Sequence, residues 1–259
     1  MPVSCLIGHT GFVGGNLSRQ YAFTHLYHSR DIEGIRGKSY DLMVCCAIPS
    51  VKWSANRNPA EDRAGIDRLL ANLRTAEAAR VVLVSTFDVY PRTAGVDESW
   101  DPHEHPNHPY GANRLYAEDR IRDSFSRVHV VRLPGLFGPG LKKNTIYDLI
   151  HDNDLDRINP NSRFQFYDVR RLWHDLETVI NHDLTLINFA TGPVQCNEIV
   201  RRYFPTKKIG AHPSPAADQN VKTLYGNWFG KGDVYMYSAQ QILMFLGDWI
   251  RKDLKGAAA

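Results

Sequence analysis

Tyr110 and Arg114 stand four residues apart, a spacing that sets a phenol and a fixed positive charge on one face of a helix. A phenol ionises near pH ~10, so acid or base work near neutrality asks for roughly 4 kcal/mol of help, part of which a cation one turn away supplies. Thr86, at the end of an apolar run, offers a hydroxyl that can hydrogen-bond the same reacting oxygen. Far upstream, Gly8-His9-Thr10-Gly11-Phe12-Val13-Gly14 follows a short, mostly apolar stretch and leads into Asn16-Leu17-Ser18-Arg19. Glycines at 8, 11 and 14 remove Cβ atoms where a diphosphate would lie on the backbone and where helix must close on strand. The helix start then offers N–H groups and a positive dipole end to phosphates. An ordinary strand-to-helix turn can use the same glycines. The position on the first strand of an alternating chain favours dinucleotide binding.

The elements that must hold these groups alternate between β-rich runs and helical patterns. Strands are expected at residues 2–7, Thr24–His28, Asp41–Ala47, Arg80–Ser85, Val128–Leu133 and Leu186–Ala190. Asn58-Pro59-Ala60-Glu61 opens a helix with the stripe Ile66, Leu69, Leu70, Leu73 and Ala76. A second helix is expected from Tyr110 to Ser126, after a Pro- and His-rich loop. A third carries Leu172, Leu176, Val179 and Ile180, and Ser238-Ala239-Gln240-Gln241 reads as a capping box for a last one bearing Leu243, Leu246 and Ile250. The pattern predicts a doubly wound α/β domain: a parallel sheet with helices on both faces. Residues 1–134, completed by about 165–192, form the dinucleotide-binding part. Residues 135–164 and 193–259, polar, basic and aromatic at their start, form a small C-terminal substrate lobe.

The bulk numbers narrow the class. With 259 residues and 43% hydrophobic content the chain can bury a full core, and no apolar run reaches bilayer length. A net charge of +3, without basic runs interleaved with aromatics, speaks against nucleic acid. Cys5, Cys45, Cys46 and Cys196 lack metal-ligand spacing and read as core thiols of a reducing compartment. No export leader precedes the first strand, so a cytoplasmic protein is expected. Ala257-Ala258-Ala259 reads as a frayed tail.

Five stretches in fixed order resemble the extended short-chain dehydrogenase/reductase family, the NAD(P)-dependent epimerases, dehydratases and reductases of sugar nucleotides. They are Gly8-x-x-Gly11-x-x-Gly14; Asp41 to Ala47; Ser85-Thr86-Phe87-Asp88-Val89-Tyr90; Pro109-Tyr110-Gly111-Ala112-Asn113-Arg114; and Arg132-Leu133-Pro134 with Phe137-Gly138-Pro139-Gly140. The resemblance spans nearly the whole chain and implies a Rossmann-type sheet and a nucleotide-sugar substrate. It implies Tyr110 as acid/base, Thr86 as the oxygen-binding hydroxyl and Arg114 as the cation that tunes the phenol and holds a ribose. The family carries lysine at position 114; arginine keeps the charge but is planar, bulkier and cannot release its proton. Cofactor contacts are expected from Gly8, Thr10, Gly11, Phe12, Val13, Gly14, Ser29, Arg30, Ala47, Ile48, Pro49, Leu133 and Pro134, besides Tyr110 and Arg114. Thr86, Phe87, Lys142, Lys143 and Asn144 are the expected substrate contacts. The helices beginning near Asn58 and Tyr110 form the dimer interface in relatives, so a homodimer is expected.

Several positions read two ways. Asp88 stands where relatives place a group that acts on a carbon-bound proton, yet a loop carboxylate capping N–H groups fits too. Phe87 replaces the second acid of some dehydratases, which speaks against simple 4,6-dehydration. Lys142 and Lys143 suit a diphosphate and equally a solvated loop. His28-Ser29-Arg30-Asp31 ends the second strand with a hydroxyl and a guanidinium suited to a 2′-phosphate, so NADP is expected over NAD, with NAD open through Asp31. His103, His105 and His108 lack partner ligands at metal spacing, so no metal is expected. Trp53, Trp100, Trp173 and Trp228 read as packing residues. A dinucleotide sensor without turnover is the alternative that Arg114 keeps open. Lys142, Lys143, Arg163, Arg170 and Arg171 argue against a reductase of apolar carbonyls.

Overall fold

In the computed structural model, which describes residues 2–230 and 234–254 (253 and 254 in backbone only), the expected apolar runs align in one sheet. Its strands are β1 (Ser4–Ile7), β2 (His25–Tyr27), β3 (Leu42–Cys45), β4 (Val81–Thr86), β5 (Val128–Leu133) and β6 (Leu186–Asn188). The order is β2-β1-β3-β4-β5-β6, and every pair is parallel. Runs such as Val-His-Val-Val-Arg-Leu in β5, buried at all six positions, are what a sheet covered on both faces requires. One face collects Cys5, Ile7, Met43, Cys45, Val81, Leu83 and Val130 with Ile66, Leu70, Leu73, Ala117 and Ile121 from two helices. The alternate residues Leu6, Val44, Val82 and Val131 are equally buried and point the other way.

The chain divides into two compact units: Met1–Arg92 with Glu98–Leu133 and Leu172–Asn188, and Thr93–Asp97 with Pro134–Arg171 and Phe189–Ala259. The first holds the sheet and helices α1 (Phe12–Leu17), α2 (Lys52–Arg57), α3 (Pro59–Leu73), α4 (Pro109–Arg122) and α5 (Leu172–Asn181). The second contains a parallel ladder of Gly135–Phe137 with Phe166–Asp168 and an antiparallel one of Val194–Gln195 with Arg163–Phe164. Its helices are Thr145–His151, Cys196–Tyr203 and Ala239–Trp249. Ser238 and Gln241 form the expected capping box on the last of these. Gln165, fully buried, donates to the carbonyls of Thr191 (2.6 Å) and Val221 (2.7 Å) and accepts from the Val221 N–H (2.8 Å), tying three segments of this unit.

Some expectations shift. α1 begins at Phe12, four residues before Asn16, because Gly11 already serves as its extended N-cap. α3 starts with Pro59 as expected, but the Asn58 side chain makes no capping bond. α4 is capped by His108 and ends at Arg122, and β6 stops at Asn188. Trp53 is not a packing residue. Trp53 is 71% exposed because the short α2 turns Ala55 inward instead, and Trp228 is half exposed. Trp173 does pack, stacked on Tyr21 at 3.8 Å. Ala257–Ala259 lie outside the described residues. Among the described residues no helix is long and apolar enough to cross a membrane.

Candidate active site

Because all six strands run parallel, the turns after β1, β2, β3, β4 and β5 share the carboxyl edge of the sheet, and β1 and β3 leave it on either side of the point where the strand order reverses. Gly8 sits at that switch point with φ +91°; a Cβ there would lie 2.8 Å from the Cys46 carbonyl oxygen and 3.0 Å from the Ala47 Cα. Thus the turn Gly8–Gly14 and the segment Ala47-Ile48-Pro49 are brought together. A Cβ at Gly14 would come 2.3 Å from the Gly8 carbonyl oxygen, so the glycine lets α1 close on the turn. At Gly11, by contrast, the Gly8 carbonyl oxygen (3.3 Å) is the single atom a Cβ would meet within 4 Å, which leaves the outer side of the turn open.

Beyond β2, the Asp31 carboxylate accepts the His28 N–H at 2.6 Å and His28 Nδ1 accepts the Arg30 N–H at 3.0 Å. This turn carries Ser29 and Arg30 exposed, while the His28 ring stacks on His9 at 5.4 Å. The stacking sets the end of β2 beside the glycine turn. Asp31, His9 and His28 come within 4.8 Å of one another through possible ligand atoms.

At the end of β4 the Thr86 hydroxyl accepts the Asp88 N–H at 3.2 Å and starts a 3-10 turn over Phe87–Val89. α4 docks on this turn: a Cβ on Gly111 would lie 2.2 Å from the Asp88 carbonyl oxygen, and Asn107 Nδ2 donates to the carbonyls of Asp88 and Val89, both at 2.9 Å. Pro109 occupies the first turn, where its missing N–H costs nothing, and His108 Nδ1 accepts the Gly111 N–H at 2.9 Å. The Tyr110 N–H is received by Asn56 of α2 at 2.9 Å. Lys52, at the start of α2, reaches Asp88 Oδ1 at 2.5 Å, and His108 Nε2 lies 3.7 Å from the same oxygen. Burial, reinforced by Lys52, lowers the His108 pKa, against the opposing pull of Asp88.

Tyr110 and Arg114 are both buried. The guanidinium carbon of Arg114 lies 4.4 Å from the Tyr110 ring centroid, a cation over a π-face. Burial raises the phenol above its ordinary pKa; Arg114 pulls it down, while Asp88 and Asp62 push it up. Arg114 Nη2 donates to Asp62 Oδ1 at 2.6 Å, whereas its Nε and Nη1 are buried without a hydrogen-bond partner.

A buried polar chain fixes the far half of α4. Glu118 accepts from Ser85 Oγ (2.5 Å) and from Arg132 Nε (3.0 Å) and Nη2 (2.6 Å). Arg132 Nη1 donates to the Tyr90 hydroxyl at 2.7 Å, which donates to Asn188 Oδ1 at 3.1 Å. Leu133 is buried at the end of β5, and Pro134 begins the second unit.

In that second unit, Lys142 and Lys143 are exposed. Asn144 caps the helix Thr145–His151, accepting the N–H groups of Ile146 (3.0 Å) and Tyr147 (3.2 Å) and donating to the Leu136 carbonyl at 2.7 Å. Back in the first unit the three loop histidines do different jobs. His103 bridges Asp101 (2.7 Å) and Asp119 (3.0 Å), which raise its pKa, His105 stacks on Trp100 at 4.5 Å, and His108 is the cap. Lys52, Asn56, Asp62 and Glu118 escaped sequence reading, since each is defined by a partner 33 to 54 positions away.

The model of the NAD dependent epimerase/dehydratase family matches residues 28–158, which hold β3, β4 and the whole Thr86–Arg114 region. The chain belongs to this family. No curated protein matches it. Among solved structures, it is similar to the UDP-N-acetylglucosamine 4-epimerase of Methanobrevibacter ruminantium in complex with UDP-N-acetylmuramic acid, with TM-score 0.76, 15% identity, and coverage of 98% of this chain and 99% of that one. It is also similar to the dTDP-4-dehydrorhamnose reductase of Bacillus anthracis in complex with NADP, with TM-score 0.74, 16% identity, and coverage of 96% and 98%. A third is MoeE5 in complex with UDP-glucuronic acid and NAD, with TM-score 0.72, 19% identity, and coverage of 96% and 99%. At these identities the likeness establishes the Rossmann-type fold.

Proposed function

We propose that this chain is an NAD(P)-dependent oxidoreductase or epimerase acting on a nucleotide-linked sugar by hydride transfer. On this reading Tyr110 is the acid/base, Thr86 the oxygen-binding hydroxyl and Arg114 the cation beside the phenol. The observation that carries the reading is the buried phenol under a buried guanidinium, 4.4 Å from centroid to carbon, on a helix docked against the Thr86–Asp88 turn. The substrate class is supported by the family and by neighbours named for UDP- and dTDP-linked sugars.

The residues fit a dinucleotide. The open side of the turn at Gly11 suits a diphosphate, and Arg114 is proposed to hold a ribose. Thr10, Phe12 and Val13 would line the same turn, with Ala47, Ile48, Pro49, Leu133 and Pro134 as further contacts. When bound, the nicotinamide supplies or accepts the hydride. The chain manages the proton. A phenol raised by burial is protonated at neutral pH, so Tyr110 donates to the sugar oxygen as it gains charge, and Thr86 donates a second hydrogen bond to it. Asp88 would take the proton from the carbon beside the carbonyl, its carboxylate held by Lys52, which donates to Oδ1 at 2.5 Å. Phe87, Lys142, Lys143 and Asn144 are proposed as substrate contacts, Asn144 through the helix it caps.

NADP is the proposed cofactor, because Asp31 is engaged by the His28 N–H while Ser29 and Arg30 are exposed beside His28. A cytoplasmic homodimer formed through α3 and α4 completes the proposal. One observation favours a sensor without turnover: Arg114 is committed to Asp62, which offsets the charge that would activate Tyr110. The deciding experiment incubates the protein with NADPH or NAD and a panel of UDP-, dTDP- and GDP-linked sugars and analyses the products. A changed sugar supports the enzyme. Cofactor binding without product from any member supports the sensor.

A further inference from the structure

We propose that Asp62 is a positioning residue for the Tyr110–Arg114 pair: its carboxylate holds the guanidinium over the phenol ring. This rests on the function proposed above. Asp62 lies in the first turn of α3, 52 residues before Arg114, yet the two side chains are 7% and 3% exposed and 2.6 Å apart. The carboxylate is itself fixed. Its second oxygen accepts Asn113 Nδ2 at 2.8 Å, and Asn113 in turn donates to the Pro59 carbonyl (3.0 Å) and accepts from Arg63 Nε (2.9 Å). The carboxylate thus ties α3 to α4 at both of its oxygens.

The charges explain why. A guanidinium cannot shed its proton, so one this deeply buried needs a counter-ion, and an unpaired one would leave the pocket or unfold it. Asp62 meets Nη2 alone, leaving Nε and Nη1 unpartnered. The pairing therefore anchors the planar group by one edge. It also has an electrostatic consequence at Tyr110, where Asp62 opposes Arg114.

The test follows the Tyr110 titration by NMR of the full chain labelled at tyrosine ring carbons, with Tyr110→Phe assigning the signal, and measures rates in parallel. In Asp62→Asn the guanidinium leaves the ring, so the Tyr110 titration should move to higher pH, in the direction of Arg114→Met. Asp62→Glu should return it toward the parent. Turnover of Asp62→Asn should fall roughly ten- to a hundredfold as the guanidinium loses its anchor. Should Asp62→Asn fail to fold, Asp62→Asn combined with Arg114→Met carries no buried charge at the pair, and its turnover should match that of Arg114→Met alone, since no guanidinium is left to anchor. A Tyr110 titration in Asp62→Asn that stays at the parent's position or falls below it, or a double variant slower than Arg114→Met alone, overturns the inference. If no nucleotide sugar is turned over but the signal moves as stated, Asp62 holds its positioning role and the enzymatic reading falls.

Discussion

Replacing Glu118 by glutamine strikes the buried chain that fixes α4. Glu118 and Arg132 are 2% and 4% exposed, and both Glu118 oxygens are used, by Ser85 at 2.5 Å and by Arg132 at 3.0 and 2.6 Å. The amide would turn an NH2 group toward donors and leave a guanidinium that cannot lose its proton buried without a counter-charge. Breaking such a pair from one side costs about 3–5 kcal/mol, against a whole-domain stability of roughly 5–15 kcal/mol. Urea unfolding at equilibrium should show the midpoint falling with little change in slope. The double variant Glu118→Leu with Arg132→Leu should lose less than Glu118→Leu alone, because no charge is stranded. A Glu118→Gln protein within ~1 kcal/mol of the parent would refute the view that this chain sets α4 on the sheet.

Other outcomes follow from the same geometry. His129 is fully buried, donates Nδ1–H to the Leu184 carbonyl at 2.8 Å, and has its pKa lowered by burial. The unfolded chain then binds a proton the folded one refuses, so the stability contribution is present above the ordinary imidazole range and lost as pH falls through it. Unfolding between about pH 8 and about pH 5.5 should steepen less with acid in His129→Asn than in the parent. Arg30→Ala should weaken NADP binding roughly tenfold or more by calorimetry and leave NAD nearly unchanged, the loss expected for one charge-assisted contact. Equal parental affinities that the variant leaves alone would remove the NADP preference. Asp88→Asn and Lys52→Met should each slow solvent deuterium incorporation into recovered sugar; parental exchange in both would leave Asp88 a loop carboxylate.

What could be read in the sequence was what local chemistry dictates. Gly8 is demanded by a positive φ and a backbone contact, and Tyr110 with Arg114 by a helical spacing that needs no partner. The six sheet strands announced themselves because a doubly covered parallel sheet wants unbroken apolar runs. α4 was harder. It buries Asn113, Arg114 and Glu118 along with Leu115, Ala117 and Ile121, so its core face carries no clean apolar stripe. Asp62 looked like an ordinary first-turn acid until the register of α3 on α4 put it against Arg114. The two- and three-residue strands of the second unit are too short for alternation to show, and Trp53 was misjudged because composition favours burial where a six-residue helix does not provide it.

The central claim is that Tyr110 moves a proton on a nucleotide sugar, and its most direct test is turnover by Tyr110→Phe with cofactor affinity measured on the same protein. The substitution removes one hydroxyl and keeps the ring beneath Arg114. Turnover should fall by roughly 100-fold or more, the scale of a lost general acid/base, while cofactor affinity stays near that of the parent. A Tyr110→Phe protein that converts a true substrate at the parental rate would contradict the mechanism.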